Sequence, residues 1–193
     1  MNYKILATII IILFYVIYYG KLVIQSKKGI KTVKLAKSKD KKVGKTEKLM
    51  TFSTVAVLIA QIVSLILDYN VLNIPALTVI GAVIAFIGDI VFLISVITMK
   101  DNWRVGIPED KDTNIVDTGI YSISRNPAFL GFDLMYIGIA CMYFNPLTLV
   151  FSAFAIYMLH KQIVQEESYL EKTFGKEYIS YKNKVNRYLG KRK

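Results

Sequence analysis

Five apolar runs, at about residues 5–24, 50–67, 75–99, 128–144 and 147–164, constrain this chain more than any other feature. The first three are long enough to cross a hydrocarbon core about 30 Å thick at about 1.5 Å per residue. The last two are shorter and are separated only by Asn145-Pro146. That pair predicts a tight turn with Pro146 opening the return helix, so the two runs must pack antiparallel. The expected fold is all-α: a polytopic membrane protein of about five transmembrane helices, with a C-terminal helical hairpin and an amphipathic cytoplasmic tail. With 54% hydrophobic residues the chain is too apolar for an ordinary soluble domain. The first run is long, and Tyr18-Tyr19-Gly20-Lys21 lacks a small-x-small cleavage pattern, so it reads as a retained helix rather than a signal peptide.

Charge placement sets the expected topology. The formal net charge is +11, and lysines crowd the segment after the first run: Lys27, Lys28, Lys31, Lys34, Lys37, Lys39, Lys41, Lys42, Lys45 and Lys48. Others lie between Lys100 and Arg125 and in the tail from Lys161. With five helices these segments share one side, which the positive-inside rule makes cytoplasmic and which leaves the N-terminus outside a plasma (inner) membrane. Anionic lipids are a natural partner for the basic loop. No aromatic interleaving or recognition motif accompanies the lysines, so nucleic acid is not an expected partner. The chain reads as one membrane domain, 1–193: three helices and a basic loop at 26–48 over 1–99, then a catalytic region over 100–193. A single cysteine, Cys141, and a single histidine, His160, supply neither a disulfide framework nor a Cys- or His-rich metal site. His160 reads as a hydrogen-bonded packing residue.

Two polar blocks interrupt the apolar pattern. One is Gly119-Ile-Tyr121-Ser-Ile-Ser-Arg125-Asn126-Pro127-Ala-Phe129-Leu-Gly131. The other is Gln165-Glu166-Glu167-Ser-Tyr-Leu170, followed by Phe174-Gly175-Lys-Glu177-Tyr178-Ile-Ser-Tyr181. Asn126-Pro127 predicts a helix start with Asn126 as N-cap. Arg125 beside that N-terminus makes a site for a carboxylate or phosphate, with Gly119 and Gly131 allowing close backbone approach and Tyr121 and Phe129 offering flat faces. Adjacent glutamates point about 100° apart on a helix, so one of Glu166 and Glu167 faces the pocket and the other faces water or a basic partner. The hairpin brings both blocks to one end, in either of two arrangements. A zwitterion-binding pocket is one; an Arg125–glutamate ion pair tying two helix ends is the other. Asp133, one turn into the fourth run, reads as functional or ion-paired, and Asp89, in the third, as a helix–helix hydrogen bonder. In the tail, Gly175 predicts a break, and Tyr178, Tyr181, Val185 and Tyr188 form an aromatic stripe at helical spacing.

Three motifs in order resemble the isoprenylcysteine carboxyl methyltransferase family and the related phospholipid N-methyltransferases. They are Asn102-Trp103-Arg104-Val-Gly106-Ile, the Gly119–Gly131 block, and Glu166-Glu167-x-x-Leu170-x-x-x-Phe174-Gly175-x-x-Tyr178-x-x-Tyr181. The resemblance spans residues 103–188 and implies an integral membrane enzyme using S-adenosylmethionine. By similarity, Gly119, Tyr121, Arg125, Asn126, Pro127, Phe129, Gly131, Glu166, Glu167, Tyr178 and Tyr181 would enclose that cofactor. Arg125 and Glu167 would be the residues most needed for activity. Trp103, Arg104 and Asp133 would face a lipophilic methyl acceptor arriving from the bilayer. The chain departs from the family's Arg-His-Pro at Asn126, and from its usual Tyr at Phe129. Asn is no general base, which points towards a carboxylate acceptor, since that nucleophile is already ionised. The segment Arg125–Asp133 is also similar to sterol reductases, which would imply NADPH, and a non-catalytic polytopic scaffold is the third reading.

Overall fold

A computed structural model describes residues 2–33, 35, 40–107 and 114–192. Of the basic loop, Lys34, Lys37 and Lys39 lie outside the described residues. The helices are α1 (Tyr3–Lys27), α2 (Lys41–Ile66), α3 (Pro75–Met99), α4 (Pro127–Met142), α5 (Pro146–Phe174) and α6 (Lys176–Lys184), with short 3-10 turns at Lys100–Asn102 and Gly119–Ser122. Asn2 and Asp40 cap α1 and α2 by accepting from first-turn amides, and Pro75, Pro127 and Pro146 open the next three.

The chain is a multi-pass membrane protein. By length and composition α1, α2, α3 and α5 can each cross a bilayer, and they expose bands of Ile, Val and Leu. The fourth apolar run differs from the sequence expectation: α4 has 16 residues, a rise of about 24 Å, and is short of a full crossing. Its N-terminal flank is a folded loop rather than further helix. In the other direction α5 is longer than its apolar run and carries Glu166, Glu167 and Leu170 on one continuous helix to Phe174. Gly175 then breaks the chain with φ of 53°, as predicted.

The hairpin partners are not each other's main neighbours. α4 packs most extensively on α3, and α5 on α2. Gly81 and Gly88 of α3 meet Gly138 and Gly131 of α4 so closely that an added Cβ at any of the four would fall within 3 Å of the opposite backbone. Small residues let two helices touch main chain to main chain where lipid gives no hydrophobic drive. Beside this seam Phe14, Phe92 and Phe132 form an aromatic core with ring centroids 4.6–5.2 Å apart. Asp89 does not make the expected inter-helix hydrogen bond: both its carboxyl oxygens are buried without a partner among the described residues.

The two ends of the bundle are built differently. At one, the α2–α3 loop meets the α4–α5 turn. Asn145, fully buried, caps α5 through Thr148 N at 3.0 Å, and its amide donates to Ser64 Oγ, Tyr69 O and Tyr143 O. We expect Asn145→Ala to lower stability by about 2–4 kcal/mol, because it removes a cap and leaves buried acceptors unpaired; thermal unfolding in detergent measures this. At the other end, the segment after α1 is laced to the segment after α3. Gln25 donates to the Trp103 carbonyl at 3.2 Å and accepts from Thr32 at 2.7 Å, and Val105 N donates to Thr32 O at 3.0 Å. All the described basic segments gather at this second end, as the charge pattern requires.

Candidate functional site

The Gly119–Ser122 turn sets the site's geometry. Gly119 has φ of 57°, and a Cβ there would press on Thr98 of α3, so the turn lies flat against that helix. Tyr181 of α6 donates its hydroxyl to Tyr121 O at 2.7 Å, tying the tail to this turn. Arg125 follows, with its backbone N–H given to Asn186 O at 3.0 Å.

Arg125 is buried and almost fully committed. Its Nε and Nη2 donate to Glu167 Oε1 at 3.2 and 2.8 Å, and its Nη1 donates to the Val185 and Lys182 carbonyls at 2.6 and 3.2 Å. A guanidinium has five N–H donors, and beyond these four bonds Arg125 is also hydrogen-bonded to the Tyr178 side chain. Glu167 is shared: its other oxygen, Oε2, accepts two bonds from Arg187, at 3.2 and 2.8 Å. Glu167 also holds Arg187 above the usual guanidinium range through those bonds. Of the two arrangements open in the sequence, the Arg125–glutamate ion pair is therefore present. It also forms a wall of a cavity, since Arg125 lines one.

Asn126 occupies the N-cap position but makes no side-chain cap bond. Its Nδ2 donates instead to Glu167 Oε1 at 3.0 Å and to Arg187 O at 3.2 Å. The buried carboxylate is a stronger acceptor than the helix amides are donors, and it wins the side chain. Asn126 is thus a brace on Glu167, and the cap expected from Asn-Pro is not made.

Two cavities meet at this end. One, called the polar cavity for its charged and amide side chains, is about 120 Å³ and is walled by Tyr121, Arg125, Glu166, Tyr169, Tyr178 and Tyr181, with Asn102, Asn114 and the apolar Ile115, Leu170 and Phe174. The apolar one, about 210 Å³, takes its walls from Tyr15 and Tyr18 of α1, Thr51 and Leu58 of α2, and Phe129 and Phe132 of α4, with Trp103 nearby. Arg104, Gly106 and Glu166 line both. The paired glutamates divide as helical geometry requires: Glu166 faces the cavities, while Glu167 lies behind Arg125 against Arg187. Burial pushes the Tyr121, Tyr178 and Tyr181 phenols well up, so they stay neutral hydrogen-bonding and stacking groups.

The chain from residue 79 to 172, which carries α3, α4, the cavity-lining loop and Glu166, matches the family model described as Isoprenylcysteine carboxyl methyltransferase (ICMT) family. Over this region, just under half of its length, the chain is similar to the ICMT family. Over 111 residues it is 36% identical to the protein-S-isoprenylcysteine O-methyltransferase of Saccharomyces cerevisiae, covering 56% of this chain and 46% of that one. It is 30% identical over 112 residues to the enzyme of that name from Xenopus laevis, covering 56% and 39%. A probable protein-S-isoprenylcysteine O-methyltransferase of Oryza sativa subsp. indica is 29% identical over 110 residues, covering 55% and 58%. The chain thus spans about half the length of the curated relatives it matches.

Not every residue implied by the ICMT resemblance faces a cavity. Tyr121, Arg125, Glu166, Tyr178 and Tyr181 line the polar one, Trp103 and Phe129 the apolar one, and Arg104 both. Gly119 and Pro127 shape the loop and the helix start. Gly131 faces α3, where a Cβ would lie 2.8 Å from Phe92 Cβ, so its smallness serves helix packing rather than ligand approach. Asp133 lines neither cavity; its Oδ1 is buried without a hydrogen bond, and the carboxylate has no ion pair among the described residues. His160 packs as expected, with Nδ1 2.7 Å from the Tyr188 hydroxyl. Sequence reading missed Arg187, which no local pattern separates from other basic tail residues. It also missed Glu47, fully buried on α2, which accepts from Ile107 N at 3.3 Å beside the shared wall.

Proposed function

We propose that this protein transfers a methyl group from S-adenosylmethionine to a membrane-borne lipophilic acceptor, with a carboxylate as the receiving group. One observation carries the reading: a polar, tyrosine-walled cavity and an apolar, aromatic-walled cavity share Arg104, Gly106 and Glu166. A water-soluble donor and a lipid-like acceptor need two such compartments with one common wall. The relatives' names give an isoprenylcysteine as their acceptor, which has the apolar chain and the carboxylate this arrangement suits.

The residues of the polar cavity fit the cofactor. Glu166 accepts from Gln162 Nε2 at 3.0 Å through Oε1, and Oε2 has no partner among the described residues, leaving it for an ammonium. The fixed positive charge of Arg125 on the cavity wall favours a carboxylate, and the neutral tyrosines offer π-faces to a sulfonium. When bound, S-adenosylmethionine supplies an electron-poor methyl group that an ionised carboxylate can accept with no proton to remove. The apolar walls hold the acceptor's chain and exclude water. Asn126, with its amide committed to Glu167 and Arg187, serves as a brace, and a carboxylate acceptor needs no base from it. The clustering of basic segments at the site's end supports a cytoplasmic site in a plasma membrane, an outside N-terminus and anionic lipids beside the lysine loop.

Titration calorimetry of detergent-purified protein tests the reading. We expect S-adenosylmethionine or S-adenosylhomocysteine to bind, and Glu166→Gln to weaken binding about tenfold, or about 1.4 kcal/mol. Labelled methyl should pass from the cofactor to an S-prenylated cysteine. An absence of binding at millimolar cofactor would overturn the proposal.

A further inference from the structure

Two charged side chains, Arg104 and Glu166, line the apolar cavity, and both stand where it meets the polar one. They do not form an ion pair with each other among the described residues. The carboxylate nearest Arg104 in sequence, Asp101, is already paired with Lys28 at 2.9 Å. Arg104 is half-buried, and among the described residues its Nη1 alone is committed, to the carbonyls of Asp101 and Trp103. Those two bonds fix the plane of the guanidinium. They leave Nε and Nη2 without partners among the described residues, and this is one of the edges that forms a two-bond fork with a carboxylate. An oriented cation with a free fork at the end of an aromatic cavity is costly unless an anion comes to it. A protonated amine at the same place would face a fixed positive charge.

We infer that Arg104 recognises the acceptor's anionic head and makes the protein selective for ionised lipophilic acids over the corresponding esters and amines. This rests on the proposed use of the apolar cavity for the acceptor. Asp101 is engaged by Lys28 and one oxygen of Glu166 by Gln162, so neither closes the fork of Arg104, and the amine probe reads which of Arg104 and Glu166 dominates the cavity.

The chain's single tryptophan, Trp103, is buried beside Arg104 and lines the cavity, so its fluorescence reads occupancy without any reaction. The probes are an S-prenylated N-acylcysteine with a free carboxylate, its methyl ester, and a prenyl-chain primary amine. In the wild-type protein without cofactor the acid should bind about tenfold more tightly than the ester, and the amine more weakly than either. Arg104→Gln should reduce acid affinity about tenfold and leave the ester unchanged, which also serves as the folding control. Arg104→Lys should retain most of the acid preference. Equal binding of acid and ester by the wild type, tightest binding of the amine, or an unchanged preference in Arg104→Gln would overturn the inference. A wild type that prefers the acid yet binds no S-adenosylmethionine would overturn the methyltransferase proposal and leave this one standing. A wild type that binds the cofactor without preferring the acid would do the reverse.

Discussion

Glu167→Gln is expected to lower the unfolding free energy in detergent by about 3–5 kcal/mol, the usual cost of breaking a buried ion pair from one side. The Arg125 and Glu167 side chains are 2% and 4% exposed, so water cannot take over either charge. Glu167 satisfies Arg125, Arg187 and Asn126 at once, and a glutamine would set an NH2 group against at least one of these donors. The uncompensated Arg125 would then drag on the carbonyls of Lys182 and Val185, loosening the junction between α6 and the Gly119–Ser122 turn. Thermal or denaturant unfolding followed by circular dichroism reads the loss. A variant as stable as the wild type would show that the pair contributes little.

The same pair allows structure and function to be separated. Replacing both partners together, as in Arg125→Leu/Glu167→Leu, removes two buried charges and leaves Arg187, about a third exposed, free to turn to water. Paired apolar replacement of buried ions is often neutral or better for stability. We expect the double variant to recover much of the stability lost in Glu167→Gln and still to bind S-adenosylmethionine poorly, because Arg125 lines the polar cavity. Recovery of cofactor affinity together with stability would make the pair a helix tie and nothing more.

The bundle was legible because apolar run length and Pro or Asn punctuation are local signals. The runs at 5–24 and 75–99 became α1 and α3, and Asn145-Pro146 became a turn with Pro146 opening α5, as expected. The misreadings share a different cause, which is a partner distant in sequence. Asn126 looks like a cap until Glu167, 41 residues on, takes its amide. Glu166-Glu167 looks like the place where the fifth helix leaves the membrane, and no local signal shows that Glu167 is turned to Arg125 and the tail. Glu167 could be picked out from its motif, whereas Arg187 could not. Gly131 misled for another reason. Read alone it suggests ligand approach, yet Gly81 and Gly88 are spaced by seven residues, as are Gly131 and Gly138, and that matched spacing is the sequence signal of two helices in backbone contact.

That seam supplies the second large effect. A Cβ at Gly138 would lie 2.4 Å from Ala85 N, 2.5 Å from Gly81 O and 2.6 Å from Ala85 Cβ. These are backbone atoms or are fixed directly to it, so no rotamer change relieves the clash, and α3 and α4 must separate. Overpacking costs about 1–3 kcal/mol where a core can adjust and more where it cannot. We therefore expect Gly138→Ala to cost at least about 3 kcal/mol, and Gly138→Val to yield no monodisperse protein by size-exclusion chromatography. Gly20 of α1 is the control: a Cβ there has nothing within 4 Å, so Gly20→Ala should leave stability unchanged or raise it by up to about 1 kcal/mol. The consequence reaches the site, because the Gly119 turn rests on Thr98 of α3 while Arg125 and Asn126 lead directly into α4. Parting the two helices would pull the polar cavity's wall in two directions, so any surviving Gly138→Ala protein should bind S-adenosylmethionine more weakly than the wild type. A Gly138→Ala protein that unfolds at the wild-type temperature and binds cofactor normally would show that α3 and α4 are not in backbone contact there.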